Sequence, residues 1–307
     1  MHRFAIRKLA VAAVVAAFAM SVQAAKVQGP EEDEDLVPTG KGWGQRATPD
    51  HNAGKARPTG NNGISYHGGP VLLNTVSTYY IWYGNWNGNS ATTVLQDLAQ
   101  HIGGSSYFNI NTTYFDGSNR NVSGQVNFNG STADNYSRGT ALSDSNIQGI
   151  VSDAITSGHL PKDTNAVYFV LTSADVTATS GFCTQYCGWH THGTIAGSDI
   201  KYAFIGNPDR CPSACEMQTT GPNGTGGADG MASILSHELE EAVTDPDLNA
   251  WYDRRGEENA DKCAWTFGTT YTTSNGATAN MKLGTRDYLI QRNWVNASGG
   301  YCAQSYP

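Results

Sequence analysis

Positive charge is scarce in this chain of 307 residues. Lysine and arginine together number 19, against 27 aspartates and glutamates, and the formal net charge is -8. Proteins that bind nucleic acid or anionic membrane surfaces through charge carry the opposite balance. The composition therefore argues against nucleic acid and against anionic membranes as partners.

Long apolar runs are equally scarce, and the clearest one lies at the N-terminus. Leu9 to Met20 follows a basic start and precedes Val22-Gln23-Ala24, which suits cleavage after Ala24. The run is too short for a good membrane span. We predict a signal peptide over residues 1–24 and a secreted, extracellular protein without membrane contact after cleavage, with a net charge of about -11. A single uncleaved anchor is the alternative.

The chain lacks the fingerprints of several enzyme classes. It contains no nucleophile elbow, phosphate-binding loop or dinucleotide-binding motif. Its glycine-rich stretch, residues 221–230, lacks the Lys-Ser/Thr ending of a phosphate-binding loop. We interpret that stretch as a flexible approach to the helix that follows.

The cysteine content is modest, but the count is even. Six cysteines in an exported chain favour three disulfides. We favour the pairs Cys183–Cys187, Cys211–Cys215 and Cys263–Cys302. A four-cysteine zinc site, built from the first two pairs, is the alternative.

Three regions follow from the composition along the chain. After the signal peptide, residues 25–62 are polar and carry the acidic run Glu31 to Asp35, which predicts a disordered segment. The run is either a propeptide that masks a metal site or a solvated tail. Residues 63–307 are long enough to form one globular domain with a substantial core.

Hydrophobic periodicity predicts a single mixed-sheet domain of α/β (α+β) type, stabilised by disulfides, in the general style of zinc peptidases. Its last helix, predicted to begin at Asp229, is apolar on much of its circumference and should be central and buried. The predicted strands are 71–86, 166–171, 202–205 and 287–290, and the predicted helices are 91–102, 143–157 and 229–246.

The buried helix carries the most informative motif, Ser236-His-Glu-Leu-Glu-Glu-Ala. His237 and Glu241 are four residues apart and share one helix face, with Glu238 beside them. This is the layout of the zinc-hydrolase helix His-Glu-x-x-His with glutamate as the second ligand. His237 and Glu241 are therefore predicted zinc ligands, with Glu238 as the general base. Glu240 is out of phase with this pair and is predicted to lie on an exposed face.

A third ligand is expected from a later segment, Gly256 to Cys263. Asp261 is the favoured candidate because it adjoins the anchoring Cys263, and Glu258, three residues earlier, is the second. Asp247 ranks third. It has the spacing of another peptidase group, but Thr244 replaces the glycine that this spacing requires.

A second cluster surrounds Trp189 and contains His190 and His192. In a strand, residues two apart face the same side, so both imidazoles could serve one site. We predict that one of them stabilises an oxyanion or contacts the substrate, with metal ligation and a structural role as the alternatives. Nearby tryptophans could line a peptide or carbohydrate groove.

Several segments carry a family resemblance, in order, through nearly all of residues 65–304: Tyr66–Leu72, Ile81–Gly84, Phe182–Gly193, Ile205–Asn207 and Asp229–Met231. Here the chain resembles the phosphate-induced protein family, the EXORDIUM-type secreted proteins best known from plants. The resemblance implies secretion and an extracellular or wall-associated location. It implies no settled activity.

One departure from the plant pattern concerns the motif helix. The plant pattern lacks a His-Glu pair after Asp-Gly-Met, whereas this chain has His237-Glu238. The chain therefore resembles a microbial branch that keeps a metal site. We expect a secreted, zinc-dependent hydrolase acting on a protein or peptide substrate. The alternative is a non-catalytic extracellular protein that binds cell-wall glycan or a surface partner.

Overall fold

The computed structural model describes residues 37–41 and 63–307. The predicted signal peptide and the acidic run lie outside the described residues. Within the described ranges, no helix combines the length and the apolar character that crossing a membrane would need.

The described chain forms helices and strands in the following order. The α-helices are α1 (Ala91–Ile102), α2 (Asp144–Thr156), α3 (Pro212–Cys215) and α4 (Gly226–Thr244). Short 3-10 turns occur at Phe108–Thr113, Pro208–Arg210 and Asp261–Cys263. The strands are β1 (Ser65–Tyr66), β2 (Val76–Tyr83), β3 (Val126–Asp134), β4 (Ala141–Leu142), β5 (Ala166–Thr172), β6 (Thr177–Ala178), β7 (Gly188–Ile195), β8 (Ser198–Ile205), β9 (Trp251–Tyr252), β10 (Tyr271–Thr272), β11 (Thr278–Ala279), β12 (Met281–Leu283), β13 (Arg286–Tyr288), β14 (Asn293–Val295) and β15 (Tyr301–Ala303).

A five-stranded sheet in the order β3-β2-β5-β8-β7 forms the centre of the domain. The first four strands are parallel, and β7 pairs antiparallel with β8 at the edge. Every residue of β5 is buried, as expected for a parallel strand that helices cover on both faces. The prediction of a mixed α and β single domain is confirmed.

Two glycines of β7 show which helix lies against each face of the sheet at this edge. A Cβ atom on Gly188 would lie 2.6 Å from Ile234 of α4, whereas one on Gly193 would lie 2.5 Å from Gln148 of α2. Alternate strand residues point to opposite faces, so α4 and α2 lie on opposite sides. His190 is in phase with Gly188 and therefore faces α4.

The helix predictions were accurate except at one end. Helix α1 has its predicted bounds, and α2 begins with a capping box between Ser143 and Asn146. Helix α4 begins earlier than predicted, because Thr225 rather than Asp229 accepts the hydrogen bond from the Ala228 amide. Residues 226–230 are thus helical, and the interpretation of residues 221–230 as a flexible approach is wrong for that half.

Three disulfides stabilise the domain, but two of the favoured pairings were wrong. The pairs are Cys183–Cys211, Cys187–Cys215 and Cys263–Cys302. The segments 183–187 and 211–215 lie side by side, so each cysteine bridges to the neighbouring segment rather than within its own. All six cysteines are in disulfides, which leaves no thiolate for a four-cysteine zinc site.

Candidate metal centre

Helix α4 carries the central part of the site, and all of its residues are buried. His237, Glu238 and Glu241 each have 0% exposure. Glu240 is equally buried and its carboxylate accepts a hydrogen bond from the side-chain amide of Asn293, so the prediction that it lies on an exposed face was wrong. Ionisable groups at this depth require hydrogen-bond partners or counter-ions, so the groups around them indicate what the site can bind.

The imidazole ring of His237 contacts two carboxylates. Its Nε2 atom lies 3.0 Å from Glu241 Oε1 and 3.3 Å from Asp261 Oδ1. The backbone amide of Asp261 also donates to Glu241 Oε1, at 3.1 Å. Asp261 starts the 3-10 turn that ends at Cys263, and the disulfide from Cys263 to Cys302 fixes this turn. The structure therefore brings Asp261 to the motif helix.

Glu258 and His190 adjoin the same carboxylate from its other side. His190 Nε2 lies 3.2 Å from both carboxylate oxygens of Glu258 and 3.7 Å from Glu241 Oε2. All three side chains are at most 1% exposed. Glu241 thus directs one oxygen toward His237 and the other toward His190.

A polar layer behind the site holds His237 in place. The side-chain amide of Gln291 contacts His237 Nδ1 and donates to the Ala260 carbonyl oxygen. Such a partner on one ring nitrogen fixes the orientation of the ring and directs the other nitrogen at the carboxylates. Sequence reasoning missed Gln291, because no local spacing connects it with α4.

Burial and mutual repulsion shift the titration of these groups strongly. Desolvation raises the pKa of Glu238 and Glu258 well above the usual range and raises the pKa of Glu241 to about 7. Burial acts to lower the pKa of His237, but Glu241 and Asp261 outweigh it and raise that pKa well above its ordinary value. Burial, with His237 nearby, lowers the pKa of His190 to about 3. His190 is therefore neutral at physiological pH and cannot offset the carboxylates.

The donor set fits a divalent metal ion. Both oxygens of Glu238, Oε2 of Glu241 and Oδ1 of Asp261 are buried without a hydrogen-bond partner among residues 37–41 and 63–307. Leaving such oxygens unpaired is costly, and a cation that they approach would remove the cost. Imidazole nitrogen combined with carboxylate oxygen is a ligand set that zinc accepts.

His192 lies in a different group. Its ring is 2.8 Å from Asp199 and 3.6 Å from Asp247, and its side chain is 37% exposed. The ammonium group of Lys201 lies 2.8 Å from Asp247 and already supplies this group with a cation. The structure therefore separates His192 and Asp247 from the buried carboxylates, while it places His190 among them.

A short piece of the N-terminal segment lies against the edge strand. The carbonyl oxygen of Gly40 accepts a hydrogen bond from the His190 amide at 3.0 Å. Gly40 has φ +66°, and a Cβ atom there would lie 2.0 Å from the His190 carbonyl oxygen, so this position requires glycine. Lys41 pairs with Asp144 at 2.7 Å and lies over the Trp189 ring.

The tryptophans near the site are largely core residues. Trp82, Trp189 and Trp251 are between 2% and 7% exposed. Trp189 stacks on Phe204 of β8, and Trp251 packs against Tyr114 and donates to a backbone carbonyl. These three rings therefore stabilise the interior rather than line an exposed groove.

Comparison with known proteins gives a consistent family. Residues 64–288 match the family model described as the phosphate-induced protein 1 conserved region. Protein EXORDIUM-like 3 of Arabidopsis thaliana is 32% identical over 278 residues, which cover 78% of this chain and 82% of that protein. Protein PHOSPHATE-INDUCED 1 of Nicotiana tabacum is 26% identical over 231 residues, with 65% and 70% covered. No solved structure matches significantly.

Proposed function

The chain belongs to the phosphate-induced protein 1 family, and within that family we propose that it is a secreted, zinc-dependent hydrolase that cleaves peptide bonds. The names of its relatives specify no reaction. The proposal therefore rests on the buried cluster of His237, Glu238, Glu241 and Asp261, whose carboxylates outnumber the cations available to them. Similarity of the fold to zinc peptidases stays a prediction.

His237, Glu241 and Asp261 would hold the metal, with Glu258 as a further oxygen donor. Oxygens of Glu241 and Asp261 lie 3.0 and 3.3 Å from His237 Nε2, and ligand atoms of His237, Glu238 and Glu241 all lie within 4.8 Å of one another. Zinc in such a site supplies Lewis acidity, which polarises a carbonyl group and makes water easier to deprotonate. Gln291 would keep His237 in the ligating orientation.

Glu238 is suited to the proton transfers of hydrolysis. It follows His237 directly, is fully buried, and its carboxylate has no hydrogen-bond partner within the described part of the chain. Burial raises its pKa, which increases its affinity for a proton. Glu238 would accept the proton of the attacking water and deliver it to the leaving amine. The oxyanion role expected for His190 or His192 is less favoured, because His190 faces two carboxylates and His192 lies in another group.

The edge of β7 supports a peptide as the substrate. An edge strand offers unpaired backbone groups that an extended peptide can join. Here the His190 amide already binds a backbone carbonyl, that of Gly40, while the His190 side chain reaches Glu241. A peptide at this edge would therefore lie beside the cluster. The same contact favours the propeptide alternative for the N-terminal segment.

The location of the protein agrees with the proposal. Three disulfides fit a secreted protein, because such bonds persist in oxidising compartments. We further propose that the chain represents a microbial branch of the family that retains the metal-binding helix. Family members that share His237, Glu238, Glu241 and Asp261 would define that branch.

The test is hydrolysis of an unfolded protein substrate by the purified chain, with and without a chelator. We expect cleavage that the chelator abolishes and that added zinc restores. Cleavage that the chelator does not affect would contradict metal dependence. Specific binding to cell-wall polysaccharide that survives both the chelator and Glu238→Gln, without any cleavage, would instead favour the non-catalytic alternative.

A further inference from the structure

We infer that the buried cluster holds two divalent cations that share the carboxylate of Glu241, the first with His237 and Asp261 and the second with His190 and Glu258. This inference rests on the proposed function and deepens it, since it changes the site from a single-metal to a two-metal centre. It also assigns His190 and Glu258, from β7 and from the segment before Cys263, to a ligand set of their own.

The geometry separates the two ligand sets. His237 Nε2 is 3.0 Å from Glu241 Oε1, whereas His190 Nε2 is 3.7 Å from Glu241 Oε2. Glu258 approaches His190 to 3.2 Å with both oxygens. Ligand atoms that share one zinc ion, each about 2 Å from it, are separated by about 3–4 Å. In both sets the distances from the histidine nitrogen to the carboxylate oxygens are of this order. A carboxylate that uses one oxygen for each set suits ions about 3.5–4 Å apart.

The charges favour a second ion. Glu238, Glu241, Glu258 and Asp261 place four carboxyl groups around the two histidines, and Glu238, Glu241 and Glu258 are at most 1% exposed. With all four groups ionised, one divalent cation would offset half of the negative charge, and a second would offset the rest. Buried charges without compensation are strongly destabilising, so two ions satisfy the cluster better than one.

An unpartnered atom points directly at the second position. Glu241 is fully buried, and within the described ranges its Oε2 atom accepts no hydrogen bond, although it faces His190. The group around His192 provides a contrast. There Lys201 contacts both Asp199 and Asp247, and its ammonium supplies the positive charge that a metal would bring.

The second ion would lie where the edge strand meets the helix. The His190 backbone binds an extended segment through its amide, and its side chain belongs to the second ligand set. A peptide on β7 would therefore be positioned next to that ion. Two-metal sites orient both the attacking and the leaving oxygen or amine of a hydrolysed bond, which matches the proposed reaction class.

Zinc stoichiometry tests the inference directly. The chelator-treated chain is titrated with Zn²⁺, and bound metal is measured after removal of free ions. We expect about two ions per chain in the wild type, about one in Glu258→Gln and His190→Ala, and about two in His192→Ala, the matched control. Glu258→Gln preserves the side-chain volume, and thermal unfolding checks that each variant is folded.

A second measurement on the wild type makes the outcome independent of any variant. Mn²⁺ loaded to saturation should give the electron paramagnetic resonance signal of two magnetically coupled ions. Saturation at one ion without coupling would overturn the inference, as would an unchanged stoichiometry in Glu258→Gln. One ion together with chelator-sensitive cleavage would leave the proposed function standing and the two-metal inference wrong. Two bound ions without cleavage would support the two-metal inference and contradict the proposed function.

Discussion

Glu241 of α4 faces His190 of β7 across the interior of the domain, with Oε2 and Nε2 3.7 Å apart. The contact joins the strongest sequence motif, on the helix, to a weaker histidine pair on the edge strand. It places a backbone-binding edge and a buried carboxylate cluster at one location, and the predictions below follow from that arrangement.

Glu238→Gln should abolish turnover and leave the metal bound. The substitution keeps the size of the side chain but removes the proton acceptor, and general-base catalysis contributes about 10²- to 10⁴-fold in rate. The loss should appear in kcat on a peptide substrate, with bound zinc measured on the same sample. Wild-type turnover in this variant would contradict the assigned role of Glu238.

Gly40→Ala should raise the initial rate of peptide hydrolysis. A Cβ atom at this position would lie 2.0 Å from the His190 carbonyl oxygen, so residues 37–41 would leave the edge of β7 and make it accessible to substrate. Each 1.4 kcal/mol of lost docking energy corresponds to about a tenfold shift toward the open edge. Val37→Ala is the matched control, because Val37 is 62% exposed and should leave the rate unchanged. Equal rates in both variants would show that the segment does not mask the site.

Glu216 should make the protein less stable as the pH rises. Burial, with Asp209 beside it, raises the pKa of Glu216 from 4.5 to about 7. The folded state therefore holds this proton more tightly than the unfolded state does. The stabilisation is fully present below pH 4.5 and is lost as the pH rises through about 7. Glu216→Gln, which stays neutral, should show a smaller fall in melting temperature between about pH 5 and pH 8. A wild-type slope in the variant would contradict this account.

Removal of the Cys263–Cys302 disulfide should weaken metal binding as well as stability. The bond fixes the turn that carries Asp261, and its loss should cost about 2–5 kcal/mol of unfolding free energy. The double variant Cys263→Ser/Cys302→Ser is compared with Cys183→Ser/Cys211→Ser by zinc titration and by thermal unfolding. Both should lose stability, and only the former should lose zinc affinity. Equal zinc affinities in the two variants would show that the turn does not contribute to metal binding.

The helical part of the site was predictable from the sequence because its spacing is local. His237 and Glu241 are one helical turn apart, and the apolar residues around them indicated burial, which the structure confirms. The same local spacing predicted α1 and α2, whose observed bounds are the predicted ones to within one residue. Local spacing did not give the start of α4 correctly. Thr225 and Asp229 both have side-chain oxygens that can cap a helix, and Thr225 is the one that does so. Asp229 instead lies within the first turn of α4, and its carboxylate accepts a hydrogen bond from the side-chain amide of Asn223.

The relationships between distant segments were not predictable in the same way. The favoured pairs included Cys183–Cys187 and Cys211–Cys215, but the tertiary fold places the two segments side by side and the disulfides join one segment to the other. Strand periodicity placed His190 and His192 on one face, but it could not show that Lys201 compensates the group around His192 while the group around His190 lacks a cation. Gln291 reaches His237 only through the path of the C-terminal segment.

The most direct test of the central claim is metal analysis of the purified chain beside its His237→Ala and His192→Ala variants. The account predicts stoichiometric zinc in the wild type and in His192→Ala, and loss of the ion held by His237 in His237→Ala. Absence of bound metal from all three folded proteins after zinc loading would contradict it, and would leave the cluster on α4 as an acidic structural element.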